Sequence, residues 1–303
     1  MLRSLTQADC AAWQQLAQAI HDAHAHSAPF SPQASLDAFH GSVDCSGTQL
    51  MGTFSESGTL VGYFRLRPGR RSELLGAGGV HPDHPGRATG SLLMTAMLEQ
   101  ARRTAGGATR IRVSADPADR MWTDAVLARG FAADGGAITM EHTLRGLPSM
   151  PPPEGFSIAP LDPAHQPQVM LALHNEVFAD VPGAHHWSAA DWQEQMLAKP
   201  QLRPDLSFTI SHGDRPVGYL HAEEWPGERR EVWIARVGTR REYRQRGVAG
   251  ALLSHFLSAC ARAGFEVAGL AVALGNPSRP ENLYTSLGFH VESRAFDYVL
   301  PLR

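Results

Sequence analysis

The chain is poor in cysteine, almost devoid of lysine and without a long apolar run. Its three cysteines, Cys10, Cys45 and Cys260, are far apart, odd in number and include no CxxC pair. That pattern argues against a disulfide framework, a cysteine zinc site and dithiol redox chemistry, so free thiols are expected. One lysine, Lys199, stands in the whole sequence, which makes Schiff-base catalysis a poor design. No apolar stretch approaches the roughly 20 residues that cross a bilayer. The opening MLRSLTQADCAAWQQL interrupts its apolar residues with polar ones and holds no signal-peptide core. A cytoplasmic protein that does not engage membranes is expected. A formal net charge of −3 lacks the basic excess of a nucleic-acid binder.

What is present is an ordinary globular composition, 43% hydrophobic and 19% charged, over 303 residues, enough for two domains. The arginines crowd into Arg229–Arg246, as one anionic ligand would require. At the end of that cluster lies Val237–Leu253, VGTRREYRQRGVAGALL, an apolar strand end, a basic turn and the start of an amphipathic helix. The first N–H groups of a helix have no internal partners and carry the positive end of its dipole. Gly247 lets an anion approach the backbone, and Arg244 and Arg246 add charge beside the turn. A pyrophosphate fits such a place, with Gln245, Val248, Ala249 and Gly250 completing the turn and first helical residues. The segment is neither GxxxxGK[ST] nor the three-glycine dinucleotide fingerprint.

The order of elements repeats at a displacement of about 160 residues. LVGYF at Leu60–Phe64 matches PVGYL at Pro216–Leu220, VHPDHPGRATGSLL at Val80–Leu93 answers TRREYRQRGVAGAL at Thr239–Leu252, and ARGF at Ala128–Phe131 answers SLGF at Ser286–Phe289. Between the copies, RGLPSMPPPEG at 145–155 reads as a stiff proline-rich spacer. The expected domains are 1–145, a linker at 146–155, and 156–303. Where the second copy has Arg244, Gly247 and Ala249, the first has Pro85, Ala88 and Gly90. Proline removes a donor and Ala88 adds a methyl where an anion must approach, so the first turn reads as disabled.

Local patterns add detail. Thr6 or Asp9 can cap a helix carrying Trp13, Leu16 and Ile20, and hairpins are expected at 47–67 and around Gly213–Asp214. His21, His24 and His26 lack the Cys or acidic partners of a metal site, so no metal is expected.

Arg244-x-x-Gly247-x-Ala249 resembles the acetyl-CoA motif of the GNAT acetyltransferases, and Asn276 with Leu283-Tyr284-x-x-Leu287-Gly288-Phe289 resembles that family's later signature. Asn175, Glu176, Phe178, Asp180, Asp191 and Trp192 are similar to a stretch found in tandem GNAT proteins of the mycothiol synthase type, whose early helices and loop cover the acceptor side; by themselves Phe178 and Trp192 read as core residues and Asp180 as a helix cap. The resemblance implies two tandem α/β domains, each a mixed, splayed sheet flanked by helices, with the C-terminal one catalytic. It implies that Val237, Gly238 and Thr239 offer a strand edge to the pantetheine arm, that Asn276 helps hold acetyl-CoA, and that a small-molecule amine attacks the thioester directly. Tyr284 is then the acid for the leaving thiolate; Val126 stands at its place in the first copy. The base is sought among Glu223, Glu224 and Glu231. Strand alternation lets only one of Glu223 and Glu224 face the cleft, and Glu224 is favoured. A monomer or homodimer is expected. The rival reading is a non-catalytic acyl-CoA-binding or interaction protein.

Overall fold

Period-2 apolar runs become strands and period-3.6 runs become helices in the order the repeat predicts. The structure, a computed structural model, describes all residues except 24–31, 44–46, 70–71, 85–86, 105, 163, 165, 182–183, 225–229 and 303. His24, His26, Cys45, Pro85 and Arg229 therefore lie outside the described residues.

One compact unit comprises residues 1–137 and 292–303. It contains β1 (Leu2–Ser4), α1 (Cys10–Ala23), α2 (Pro32–Val43), β2 (Gln49–Phe54), β3 (Leu60–Pro68), β4 (Glu73–Val80), α3 (Arg87–Arg103), β5 (Arg110–Ala115), α4 (Arg120–Leu127) and the start of β6 (Ala132–His142). The two expected caps act together: Asp9 Oδ2 accepts from Thr6 N at 2.8 Å and Thr6 Oγ1 at 3.1 Å, starting a short 3-10 turn ahead of α1. Strands β1 to β5 lie side by side in sequence order. Trp13, Leu16 and Phe39 from α1 and α2 pack with Leu50 and Leu60. Met94, Met97, Trp122 and Val126 from α3 and α4 pack with Phe64, Ile111 and Val113. Each such fully buried large side chain contributes about 1.5–3 kcal/mol relative to exposure.

The other unit is residues 138–291. After the end of β6 come β7 (Phe156–Pro160), α5 (Pro167–Val177), α6 (Ala189–Trp192), β8 (Phe208–His212), β9 (Arg215–Glu223), β10 (Glu231–Thr239), α7 (Val248–Arg262), β11 (Val267–Ala273), α8 (Pro280–Ser286) and the start of β12 (His290–Pro301). The sheet order is β6-β11-β10-β9-β8-β7. Leu252, Phe256 and Leu257 of α7 cover Leu220, Ala222, Val232 and Ile234, while Leu173, Val177 and Trp192 of α5 and α6 gather with Tyr219. The duplication extends to single hydrogen bonds: His81 N donates to Val61 O at 2.9 Å and Arg240 N to Val217 O at 2.8 Å.

Packing divides the chain elsewhere than the boundaries 1–145, 146–155 and 156–303 would. The last strand of each sequence half serves the other unit. Residues Phe296–Pro301 of β12 pair antiparallel with Ala115–Arg110 of β5, and Met140 of β6, beside β11, joins the core of residues 138–291. The proline-rich segment is also no free spacer. Ser254 Oγ on α7 donates to Pro148 O at 2.6 Å and accepts from Met150 N at 3.1 Å, so the segment is strapped onto that helix.

Candidate active site

β10 begins parallel to β11, with pairs from Glu231↔Val267 to Ile234↔Leu270, and there that ladder stops. It stays antiparallel to β9 as far as Thr239↔Gly218, with the register shifting between Ile234 and Arg236. Ala235 is the extra residue of this bulge. A bulge bends and twists its strand, and here it carries β10 away from β11. Val237, Gly238 and Thr239 therefore form a strand edge with no ladder on the β11 side, the type of surface an amide-bearing chain can join. Gly238 is required on the other side, because a Cβ there would lie 2.6 Å from Val177 Cγ2 of α5.

The edge runs into the turn before α7. Gln245 and Gly247 both adopt left-handed backbone, at φ 60° and 79°, a conformation glycine takes without strain. Gly247 is the N-cap of α7 and provides no side-chain cap, and the first turn holds no acidic residue. The nearest atom to a Cβ built on Gly247 is Pro153 Cγ at 3.9 Å, so space is open there. Gly250, one turn in, is closely covered by Met150, whose Cε would sit 2.8 Å from an added Cβ. Val248 is buried in the core, Ala249 is half-buried, and Gln245 and Arg246 are exposed at the turn. The Arg246 guanidinium lies 5.6 Å from the Tyr243 ring centre. This backbone, with its uncapped helix start, fits a diphosphate.

Arg244 is held within the chain. Its guanidinium donates to Asp180 Oδ2, Val177 O and Thr239 O, each at 3.2 Å, so it braces the turn from below and its charge is taken up by Asp180. Asp180 accordingly anchors Arg244 rather than capping a helix. Its neighbours act in the same way: Glu176 pairs with Arg240, and Asn175 accepts from Trp187 N at 2.7 Å and donates to Trp187 O at 3.0 Å. The Asn-Glu-x-Phe-x-Asp stretch thus pins the end of α5 to the turn and to the Trp187 loop.

On α8, Tyr284 is buried, packed edge-on to Phe289 with ring centres 5.9 Å apart. Burial, and secondarily Glu281, push its phenol up to about 12. Among the described residues its hydroxyl makes no hydrogen bond. Asn276 spends its Oδ1 on the loop, accepting from Ser278 N at 3.0 Å and Ser278 Oγ at 2.8 Å, which leaves its NH₂ group for other contacts.

The alternation of β9 puts Tyr219, His221 and Glu223 on the face beneath α5 and α6. Glu223 is nearly fully buried and accepts from Lys199 Nζ at 2.8 Å. Glu224, the favoured base of the sequence reading, points elsewhere: its side chain is 43% exposed and paired with Arg203. Glu223 is the last residue of β9, and Glu224 already belongs to the following loop. Glu231 sits at the first position of β10, far along the strand from the bulge. Tyr219 OH and His174 Nδ1 are 2.6 Å apart. Burial, then the nearby Arg236 charge, lower the imidazole of His174 to about 4 and of His221 to about 3, keeping both neutral at neutral pH. Sequence reasoning passed over His174, His221 and Arg236, although the alternation Tyr-x-His-x-Glu was a visible signal.

The first copy has the same splay with its space filled. β4 pairs with β5 from Glu73↔Arg110 to Gly76↔Val113 and then continues to Val80 paired with β3 but not with β5. A Cβ on Gly78 would fall 2.3 Å from Trp122 Cη2, so the indole of α4 lies directly on that edge. Val126, not a tyrosine, is buried at the position matching Tyr284. Ala88 is exposed in the first turn of α3, and Gly90 serves close packing, with Met121 O 3.0 Å from where its Cβ would be.

A strand edge freed by a bulge and running into an uncapped helix N-terminus offers amide pairing along the strand and an anion site at its end. The profile of the "Acetyltransferase (GNAT) family" matches residues 13–131 and 170–289, and the chain belongs to that family, as an acetyltransferase of tandem construction. It is 27% identical to the mycothiol acetyltransferase of Mycolicibacterium vanbaalenii over 81% of each chain. It is 28% identical to that of Thermomonospora curvata over 60% of each, so this match spans less than two thirds of that relative's length. Among solved structures, a GCN5-related N-acetyltransferase from Sphaerobacter thermophilus shares the fold at a TM-score of 0.85 and 22% identity, covering 100% of this chain and 96% of that one. A tandem GNAT protein from the clavulanic acid biosynthesis pathway does so at 0.71 and 16%, covering 100% and 98%. No described helix is long and apolar enough to cross a membrane.

Proposed function

We propose that the chain is an acetyl-CoA-dependent N-acetyltransferase acting on the primary amine of a small molecule, with catalysis in the C-terminal half and a structural or acceptor-shaping role for the N-terminal half. The observation that carries this reading is the continuity of the free β10 edge with the Gly247 turn and the start of α7. The diphosphate rests on the N–H groups of that turn, with Arg246 and Gln245 beside it and the NH₂ group of Asn276 contributing from the β11–α8 loop, while the arm lies along Val237–Thr239. Acetyl-CoA supplies a thioester open to direct attack in a ternary complex. Glu223, under α5 and α6, takes the proton from the ammonium of the acceptor. The amine forms its bond to the acetyl carbon as the C–S bond breaks, and Tyr284 gives its proton to the departing sulfur. The second proton of the amine nitrogen, released as the amide forms, restores the Tyr284 phenol by way of solvent. A phenol near 12 is fully protonated at neutral pH and so holds that proton until it is needed. The reaction belongs to the cytoplasm, where acetyl-CoA is supplied.

Calorimetry with CoA is expected to give one site per chain, since Trp122 fills the other edge, and a thiol-release assay over an amine panel should show acetyl transfer. Saturable CoA binding with no release from any amine would favour the rival, non-catalytic reading. Glu223→Gln is expected to lower kcat about 100-fold, the usual scale for a lost general base, whereas Glu224→Gln should stay within twofold of the parent. Equal losses in the two variants would remove Glu223 from the role.

A further inference from the structure

The site has two approaches. A CoA molecule held from the start of α7 along the β10 edge leaves the α5/α6 face of that edge to the second substrate. Arg236 lies on that face one residue past the bulge, and bulges characteristically re-aim a side chain. Its Cζ sits 4.7 Å from the centre of the Trp187 ring, and its Nη1 donates to His221 Nδ1 at 3.3 Å. A guanidinium has five N–H donors, and among the described residues Arg236 makes no other hydrogen bond. Its side chain is 20% exposed, so those donors can be reached.

Two further features point to a missing partner. Because Arg236 donates to Nδ1, the neutral His221 ring carries its proton on Nε2. That buried atom has no hydrogen-bond partner; Glu223 Oε1 is the near acceptor, 3.7 Å away. The charges also fail to balance. Lys199 Nζ and Arg236 Nη1 share one carboxylate, Glu223 Oε1, at 2.8 and 3.9 Å. With His174 and His221 neutral, this cluster of described residues holds one positive charge in excess, in surroundings where water screens it poorly.

Resting on the acetyltransferase reading, we infer that the acceptor carries a carboxylate near its amine, as an amino acid does, and that Arg236 binds this carboxylate with Lys199 alongside. A guanidinium matches a carboxylate through two parallel N–H···O bonds. One such group supplies the anionic partner that the remaining donors of Arg236 lack, while the acceptor's ammonium turns to the Glu223 carboxylate. Trp187 backs the guanidinium and holds its plane, and Glu223 remains next to the bound ammonium.

The test uses matched pairs of amines, each amino acid set against the amine that lacks its carboxylate, on the full chain with saturating acetyl-CoA. Kinetics and calorimetry on the CoA-loaded protein are run together. The carboxylated member should bind and react 10- to 100-fold better in KM or Kd, the scale of a charge-assisted hydrogen-bonded pair. In Arg236→Gln the carboxylated member should fall to the level of its partner through KM, and Lys199→Gln should cause a smaller fall in the same direction. CoA affinity, measured separately, reports that each variant is folded. Equal binding of the two members, or equal loss of both in Arg236→Gln, overturns the inference. A carboxylate preference in binding without thiol release would uphold it and overturn acetyl transfer instead.

Discussion

Tyr284→Phe is expected to lower kcat by about 100-fold or more at neutral pH, the range seen when a general acid is removed, with the Kd for CoA unchanged. The substitution deletes one oxygen from a buried ring whose hydroxyl has no hydrogen-bond partner among the described residues, so the packing against Phe289 is retained and thermal stability should change little. The loss would therefore report chemistry rather than folding. The pH profile makes a second check. With the phenol raised to about 12 by burial and by Glu281, the acid stays protonated well beyond the usual tyrosine value of about 10, and the parent rate should show no falling limb near pH 10. A limb there, or a Phe variant of parental kcat, would remove Tyr284 from the reaction.

Gly247→Asp is expected to abolish measurable CoA binding while leaving the fold in place. Asp is among the few side chains that tolerate left-handed backbone, and the nearest atom to the new Cβ is 3.9 Å away, so the structural cost should be about 1 kcal/mol. The carboxylate, however, would occupy the start of α7, where the dipole and free N–H groups now await an anion, and would repel a diphosphate there. A loss of affinity of at least 100-fold in calorimetry, beside a melting temperature within a few degrees of the parent, is the expected pair of results. Retained CoA affinity would mean that the diphosphate lies elsewhere.

Much of the architecture was legible in the linear pattern because its determinants are local. Strand alternation, the hairpin turns and the helical period of α7 depend on neighbours a few residues away, and the turn at Gly247 depends on a backbone that glycine adopts freely. The duplication supplied an internal control, since Val126 marks the first copy as lacking the phenol of Tyr284 without reference to any structure.

Other features had no local signal. A closing strand with the right alternation can pair with any edge of matching register, so nothing in AITMEHTL or in the last residues announces that each serves the other unit. The Pro-rich stretch reads as a spacer until Ser254, about 100 residues on, is seen to hold Pro148 and Met150. That Arg244 braces the turn shows only when Asp180 and two carbonyls are seen to accept from it.

The sequence by itself determined the repeat, the anion-binding turn and the candidate acid Tyr284, because each rests on backbone preference or residue chemistry at one place. Only the tertiary structure decided that Arg244 is a brace, that Trp122 fills the first edge, that Glu223 faces inward where Glu224 does not, and that Arg236 and Lys199 share a single carboxylate. These are matters of which charges and side chains meet across the sheet, and such meetings are fixed by packing between distant segments rather than by any stretch of chain alone.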